Sequence, residues 1–352
     1  MKYNWKLSET TFTKDKGNVF SCFACGGGST MGYKLAGFDV IGANDIDPKM
    51  ADVYKINHDP KYYFLESITT FAKRNDLPAE LYDLDILDGS PPCSSFSMMG
   101  NREKGWGKEK KFREGQAKQV LDTLFFDFID LAKELQPKVV VAENVKGLLL
   151  GNAKDYVRRI YKEFDKAGYY CQHWLLDASK MGVPQRRERV FFICLRKDLA
   201  KPFLYQKDMF TVVPKLNLEF NEKPILFKEI YQKGNKERLL TDFSKKIWDL
   251  RKYTDVGFED INLREFNKPN LHFGKKFIFK NKVMNTITSK DDCVLFDEPR
   301  HKSTLENILG GSFPKDYNFL KVKHQYLIGM SVPPLMVAKI AEQIYIQWLS
   351  KI

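Results

Sequence analysis

The sequence predicts an α/β fold, a doubly wound and mostly parallel sheet with a second, smaller lobe. In the first half of the chain, short apolar runs alternate with stretches of helical character, as in βαβ units. A glycine turn at residues 26–28 follows the first apolar run, and polar residues follow several later runs. Because open α/β sheets bind their ligands at the carboxyl ends of strands, we expect the functional residues to lie there.

The predicted elements run in order from residue 19 to residue 196. The apolar runs that predict strands are residues 19–23, 40–44, 84–87, 139–142, 170–177 and 190–196. The stretches that predict helices end at Ala36 or cover residues 48–57, 122–135 and 156–167. Pro48 suits a first helical turn and Gly168 suits a helix stop.

The pattern divides the chain into three parts. It fades after Arg196 into short, lysine-rich segments, and it returns after Pro299 with a final helix predicted from Pro334. We therefore predict a main domain over residues 1–197, a second lobe over 198–298, and a C-terminal segment over 299–352 that returns to the main domain.

Composition excludes several classes of protein. The 352 residues are 43% hydrophobic and 14% aromatic, which is typical of a folded globular protein. No apolar run reaches the length of a membrane span, and the N-terminus lacks a signal-peptide core, so a cytosolic location without membrane attachment is expected. The six cysteines are scattered, and the lone Cys22-x-x-Cys25 has no second pair, so neither a disulfide framework nor a metal site is expected.

The charge favours a polyanionic partner. The net charge is +12, although an AT-rich genome also enriches lysine. Residues 98–118 carry seven Lys or Arg against three Glu, with interspersed glycines and Trp106. A glycine-rich basic loop of this kind is better explained by a phosphate backbone than by solvation.

Two strand ends carry residues suited to catalysis. Cys93 follows Pro91 and Pro92, which restrict φ and hold the thiol on a rigid elbow. Glu143 directly follows the run 139–142. A positioned thiol and a positioned carboxylate at neighbouring strand ends indicate covalent catalysis with an acid beside the nucleophile. The glycine turn together with Asp45 at the end of the next strand indicates an adenosine-bearing cofactor, without saying which one.

Six motifs in order resemble those of the DNA cytosine-5 methyltransferase family. They span nearly the whole chain, and together they make coincidence very improbable. They are Phe23 with Gly27 and Gly28, Pro91-Pro92-Cys93-Ser94-Ser95-Phe96-Ser97, Glu143-Asn144-Val145, Gln185-Arg186-Arg187-Glu188-Arg189, Arg300 with Glu306 and Phe313-Pro314, and Gly329-Met330-Ser331-Val332-Pro333-Pro334.

The resemblance implies sequence-specific methylation of cytosine C5 in double-stranded DNA. S-adenosylmethionine would be the cofactor, and S-adenosylhomocysteine the product. Cys93 is expected to attack C6, and Glu143 to act at N3. Arg189 is expected to hold the base O2 and brace Glu143, and Arg187 to support a phosphate or the base. The target must be flipped out of the duplex to be reached.

The resemblance also implies the binding residues. The expected cofactor contacts are Phe23, Ala24, Gly26, Gly27, Gly28, Asp45, Ile46, Glu66, Ser67, Ile68, Asp88, Ser90, Pro91, Ser331 and Val332. The expected nucleic-acid contacts are Ser94, Ser95, Arg102, Lys104 and Thr286. The second lobe is expected to be the target-recognition domain.

Four departures from the family pattern indicate a divergent member. Cys25 replaces a glycine of the first motif, and Glu66-Ser67-Ile68 stands where Gly-Asp-Ile is common. Met330 replaces an asparagine, and Leu327 stands where a glutamine is common.

Other functions remain open on the residues alone. An RNA cytosine-5 methyltransferase of the transfer-RNA type keeps the same core motifs, but its cysteine-and-tyrosine signature is absent here. A Rossmann-type oxidoreductase would use the glycine turn but would leave Cys93 and Glu143 without a role. A non-catalytic DNA-binding protein on the same scaffold is opposed by the intact catalytic residues.

The expected partners follow from the resemblance to bacterial and phage modification enzymes. We expect a monomer that acts on double-stranded DNA, associated with the nucleoid through that DNA. A cognate restriction endonuclease is an expected functional partner.

Overall fold

A computed structural model of the chain describes residues 2–92, 123–150, 153–209, 211–268, 274–290 and 292–352. Its centre is a seven-stranded sheet in the order β3-β2-β1-β4-β5-β7-β6. All neighbouring strands are parallel except β7, which runs antiparallel to both β5 and β6. The doubly wound, mostly parallel sheet predicted from the sequence is therefore confirmed. The strands are β1 (Asn18–Cys22), β2 (Asp39–Asp45), β3 (Tyr62–Leu65), β4 (Ile86–Gly89), β5 (Val139–Val145), β6 (Tyr169–Asp177) and β7 (Glu188–Arg196).

In the described part of the chain up to Lys166, five helices accompany this sheet, and local chemistry determines where several of them end. They are α1 (Gly28–Leu35), α2 (Pro48–His58), α3 (Ile68–Phe71), α4 (Leu124–Leu135) and α5 (Lys154–Lys166). Helix α2 begins as predicted at Pro48, where the Asp47 carboxylate accepts hydrogen bonds from the next two backbone N–H groups. Gly168 follows α5 with φ +95°, a conformation that glycine adopts without strain.

The core of the sheet region is aromatic. Phe125 and Phe128 of α4 are almost fully buried and pack with apolar residues of β1, β4 and β5. Burying one such side chain is worth roughly 1.5–3 kcal/mol. Phe128 also excludes any side chain at Gly89, because a Cβ there would lie 2.5 Å from its ring. This packing fixes the end of β4 at Gly89, two residues before Pro91.

The chain divides into two compact units. The sheet unit comprises Thr11–Asp177, Glu188–Glu219 and Val337–Ile352, and the second unit comprises Met1–Thr10, Ala178–Arg187 and Phe220–Met336. The predicted limits at 197 and 298 differ from this division. In particular, Ala178–Arg187 and the stretch from 299 to Met336 group with the second unit.

The remaining elements are short, apart from the last helix. They are β8 (Leu204–Gln206), β9 (Val212–Pro214), α6 (Asp242–Asp249), α7 (Phe258–Phe266), β10 (Phe277–Ile278), β11 (Val294–Leu295), α8 (Thr304–Gly310), α9 (His324–Met330) and α10 (Pro334–Gln347). By length and composition alone, the C-terminal stretch His324–Lys351 could cross a membrane, and 72% of its most apolar window is buried inside the structure.

The second unit has its own core and a buried ion pair. Trp248, Phe258 and Phe277 belong to one apolar cluster. Arg300 is 1% exposed and donates hydrogen bonds to both carboxylate oxygens of Glu306, each at 2.8 Å. Such a planar, two-point pairing satisfies both buried charges at once.

Candidate active site

The ends of β4 and β5 form the frame of the site. The two strands are parallel and in register, with Gly89 opposite Ala142, so both chains leave the sheet at the same edge. Asn144, which is buried, donates a hydrogen bond from Nδ2 to the Pro91 carbonyl at 3.1 Å. This bond ties the segment that carries Glu143 to the segment that leads to Cys93.

Glu143 and Arg189 form an ion pair at this edge. The Arg189 Nε lies 2.9 Å from Glu143 Oε1, and the two side chains are only 15% and 12% exposed. Arg189 comes from β7, which pairs antiparallel with β5 and brings the two residues together as predicted. Burial lowers the pKa of Arg189, and the neighbouring Glu143 carboxylate opposes that effect. A guanidinium has five N–H donors, so Arg189 can pair with Glu143 and still donate to a second acceptor.

Arg187 has a different environment from the one predicted. Its guanidinium is 2% exposed and donates to three backbone carbonyls, at 3.0 Å to Ile287, 3.1 Å to Gly329 and 2.9 Å to Ser331. The expected contact with a phosphate or base is therefore not favoured, because the donors point to backbone inside the second unit. The sequence could not reveal these partners, because every residue has a backbone carbonyl whatever its side chain.

The turn between β1 and α1 requires a glycine at position 27. Gly27 precedes α1 with φ +82°, and a Cβ there would lie 2.2 Å from His58 Nε2. Cys25, which replaces a family glycine, adopts φ +48°. Its N–H donates to Asp45 at 2.7 Å, and Asp45 is 9% exposed with a pKa raised by burial. The other predicted members of this turn, Phe23, Ala24, Gly26 and Gly28, lie between β1 and α1 or begin that helix.

One buried hydroxyl beside this turn is an additional candidate. Among the described residues, the Tyr63 hydroxyl has no hydrogen-bond partner. Burial raises its pKa, and Asp45 and Cys25 are among its electrostatic neighbours. A buried, unpaired hydroxyl next to a carboxylate fits a ligand rich in hydroxyl groups, such as the ribose of an adenosine-bearing cofactor. Tyr63 was not predicted, because a tyrosine in a short strand carries no sequence signal.

Asp88 lies inside the sheet unit rather than at its surface. It is 3% exposed and accepts hydrogen bonds from Ser21 Oγ at 2.8 Å and Tyr33 Oη at 3.1 Å. Burial raises the pKa of Asp88 to about 7, and Glu143 adds to that rise. Both oxygens of the Asp88 carboxylate accept from buried hydroxyl groups. This arrangement argues against the expected contact between Asp88 and the cofactor. Ser90 and Pro91 continue directly from this strand.

Four further residues that were expected to contact the cofactor have different environments in the structure. Glu66 pairs with Arg74 at 3.1 Å, and Ser67 caps α3 through the N–H of Thr70. Ile68 is 2% exposed in the apolar core, which favours packing over the expected side-chain contact with the cofactor. Ile46, directly after Asp45, is half-buried.

The remaining described candidates belong to the second unit. Thr286 donates its hydroxyl to the Arg186 carbonyl at 2.5 Å. Ser331 donates its hydroxyl to the Leu327 carbonyl at 2.8 Å, and Val332 is buried. Gln185, a motif residue without a predicted role, accepts the Ile287 N–H at 3.1 Å and donates to the Gly310 carbonyl at 2.7 Å.

Part of the predicted site is not covered by the structure. The expected nucleophile Cys93 and the expected nucleic-acid contacts Ser94, Ser95, Arg102 and Lys104 lie outside the described residues.

Comparison with known proteins identifies the family. Residues 17–346 match the model of the C-5 cytosine-specific DNA methylase family, and the chain belongs to that family.

Named relatives agree with this assignment. Type II methyltransferase M.NgoPII of Neisseria gonorrhoeae is 36% identical over 200 residues, which cover 57% of this chain and 53% of that protein. Type II methyltransferase M1.HphI of Haemophilus parahaemolyticus is 27% identical over 337 residues, covering 92% and 85%. The chain thus spans about half the length of the first curated relatives it matches. A crystal structure of a DNMT2 mutant from Spodoptera frugiperda shares the fold, with a TM-score of 0.63, 18% identity and coverage of 93% and 99%.

Proposed function

We propose that this chain transfers a methyl group to C5 of cytosine in double-stranded DNA at a specific sequence. The observation that carries the proposal is the Glu143–Arg189 pair, almost buried, at the edge from which the chain continues to Cys93. Family membership and the order of the motifs support it. The net charge of +12 suits a polyanionic substrate.

The chemistry divides among three side chains. The Cys93 thiolate forms a bond to C6 of the flipped cytosine, and the ring electrons move toward N3, where Glu143 donates a proton or hydrogen bond. Arg189 keeps that carboxyl oriented and offers its remaining N–H groups to the base O2. C5 becomes nucleophilic as a result. After methylation, a base removes the C5 proton, and the C6–S bond breaks with the electron pair returning to Cys93.

S-adenosylmethionine is the proposed methyl donor, and it supplies an electrophilic methyl group when bound. The residues that fit it are the glycine turn, Asp45 and Tyr63 in the sheet unit. Asp45 already accepts backbone N–H groups, among them those of Cys25 and Asp47, and its two oxygens have further lone pairs. Together with the unpaired Tyr63 hydroxyl, these acceptors and donors match the ribose hydroxyls.

The wider setting follows from the same proposal. The second unit would recognise the target sequence, with phosphate contacts from lysine and arginine and base contacts from a few side chains. The enzyme would work in the cytosol on chromosomal DNA as a monomer. A cognate restriction endonuclease would be the functional partner, since methylation then protects the host DNA.

A trapping experiment tests the proposal. Duplex DNA containing 5-fluorocytosine should form a complex with the wild-type protein that survives denaturation. Fluorine cannot leave C5 as a cation, so the C6–S bond persists after methyl transfer. The matched Cys93→Ala variant should bind the same duplex but form no such complex. Trapping by both proteins, or by neither on DNA while a single-stranded RNA substrate is methylated, would contradict the proposal.

A further inference from the structure

Arg187 joins two segments of the second unit that lie far apart in sequence. The first, called here the Thr286 segment, comprises residues 284–289, and the second, called the Ser331 turn, comprises residues 329–332. One terminal nitrogen of Arg187, Nη1, donates to the Ile287 carbonyl of the first segment. The other, Nη2, donates to the Gly329 and Ser331 carbonyls of the second. The guanidinium is buried, so these bonds are shielded from water.

The two segments also meet directly, backbone against backbone. A Cβ added to Gly329 would lie 2.4 Å from the carbonyl carbon of Thr288 and 2.5 Å from the Ser289 nitrogen. Real Cβ atoms do not approach other atoms so closely, so only glycine permits this contact. A displacement of one segment must therefore move the other.

Gln185 provides a natural comparison, because its side-chain hydrogen bonds within the described residues reach the Thr286 segment and not the Ser331 turn. Its amide accepts the Ile287 N–H and donates to the Gly310 carbonyl in α8. The Arg186 N–H adds a backbone bond to the Met284 carbonyl, and Thr286 returns one to Arg186. The stretch 185–187 is thus bound along the Thr286 segment, and the Arg187 side chain links it in addition to the Ser331 turn.

We propose that Arg187 is a positioning residue that holds the DNA-contacting Thr286 segment and the cofactor-contacting Ser331 turn in one fixed register. The inference rests on the proposed function and on the family resemblance, which assigns Thr286 to the DNA and Ser331 to the cofactor. A planar fork with donors on two nitrogens spans three carbonyls, whereas an ammonium is a single point. Replacement by lysine should therefore loosen the register while keeping the charge.

The test measures binding rather than activity alone. Arg187→Lys is titrated with S-adenosylhomocysteine by calorimetry and with duplex DNA by fluorescence anisotropy, and its KM values are measured. Both dissociation constants should rise by about 10- to 100-fold, as expected for a small misplacement of contact groups. Gln185→Met should weaken DNA binding but leave S-adenosylhomocysteine binding within about twofold of the wild type. Arg300→Lys, at an equally buried arginine of the same unit, controls for general destabilisation.

The outcomes separate a positioning role from a merely structural one. A lowered Tm in Arg187→Lys with unchanged dissociation constants, or equal weakening in Arg300→Lys, would overturn the proposal. If Arg187→Lys yields no folded protein, Gly329→Ala tests the same register with the guanidinium intact, and unchanged binding there would also overturn it. A wild-type protein that binds S-adenosylhomocysteine but methylates no DNA would refute the proposed function, while the calorimetric comparison would still judge the role of Arg187 toward the cofactor.

Discussion

Replacement of Asp88 by asparagine should make the stability of the protein respond differently to pH. Asp88 is buried at the end of β4, where hydroxyl groups of Ser21 and Tyr33 donate to its two oxygens. An asparagine has nearly the same shape and is never charged. Its oxygen accepts from one hydroxyl, and its NH₂ group donates to the oxygen of the other. The substitution therefore removes the buried charge while leaving the local packing intact.

The magnitude follows from the raised pKa. Burial and the nearby Glu143 raise the pKa of Asp88 from 3.8 to about 7. A raised folded-state pKa contributes stability that is fully present below the unfolded-state pKa and is lost as pH rises through about 7. Between pH 5 and pH 8 the wild type should lose about 3 kcal/mol relative to Asp88→Asn, from roughly 1.4 kcal/mol per pKa unit.

Urea denaturation at pH 5, 6, 7 and 8 measures the effect. The free energy of unfolding of Asp88→Asn minus that of the wild type should increase from pH 5 to about pH 7 and then level off toward pH 8. Ser21→Ala provides a companion test, because its hydroxyl lowers the pKa of Asp88, so its loss should move the transition to higher pH. A difference between Asp88→Asn and wild type that is constant from pH 5 to pH 8 would refute the reasoning.

Three further substitutions have distinct expected results. Glu143→Gln keeps a neutral partner for Arg189 but cannot donate a proton in the same way. The kcat should therefore fall by about 100-fold or more while DNA affinity is retained, and a kcat near wild type would exclude Glu143 from catalysis. Tyr63→Phe removes a buried, unpaired hydroxyl, so the free protein should gain about 1 kcal/mol by urea denaturation while calorimetry shows weaker S-adenosylhomocysteine binding; unchanged binding would remove Tyr63 from the site. Cys25→Gly should stabilise the protein by about 1 kcal/mol, because φ +48° strains any residue with a Cβ; a loss of stability would show that the cysteine side chain contributes more than the strain costs.

The sequence predicted those strands well whose apolar side chains are buried, because burial produces the apolar pattern. The run 139–142 predicted β5, but the strand continues through Glu143 to Val145 because its backbone pairs with β7. That pairing is independent of side-chain polarity, so periodicity alone ends the strand too early. The strand β3, Tyr62–Leu65, was missed because it is a short edge strand whose residues are half-buried or exposed.

The sequence predicted which residues form the site better than it predicted the contacts that each of them makes. Glu143 and Arg189 meet as expected, since both motifs belong to paired strands. Arg187 differs because its partners are backbone carbonyls 100 or more residues away, which any residue type provides. Ile68 packs in the core because an apolar side chain at a helix start is buried wherever the core lies beneath it.

The most direct test of the central claim is a base-resolution map of 5-methylcytosine in genomic DNA. Cells that lack cytosine-5 methylation of their own would express either this chain or its Cys93→Ala variant. The proposed function predicts 5-methylcytosine within one short sequence motif in the first culture and none in the second. An absence of 5-methylcytosine in both cultures, with both proteins folded and expressed, would contradict it, and so would equal methylation in both.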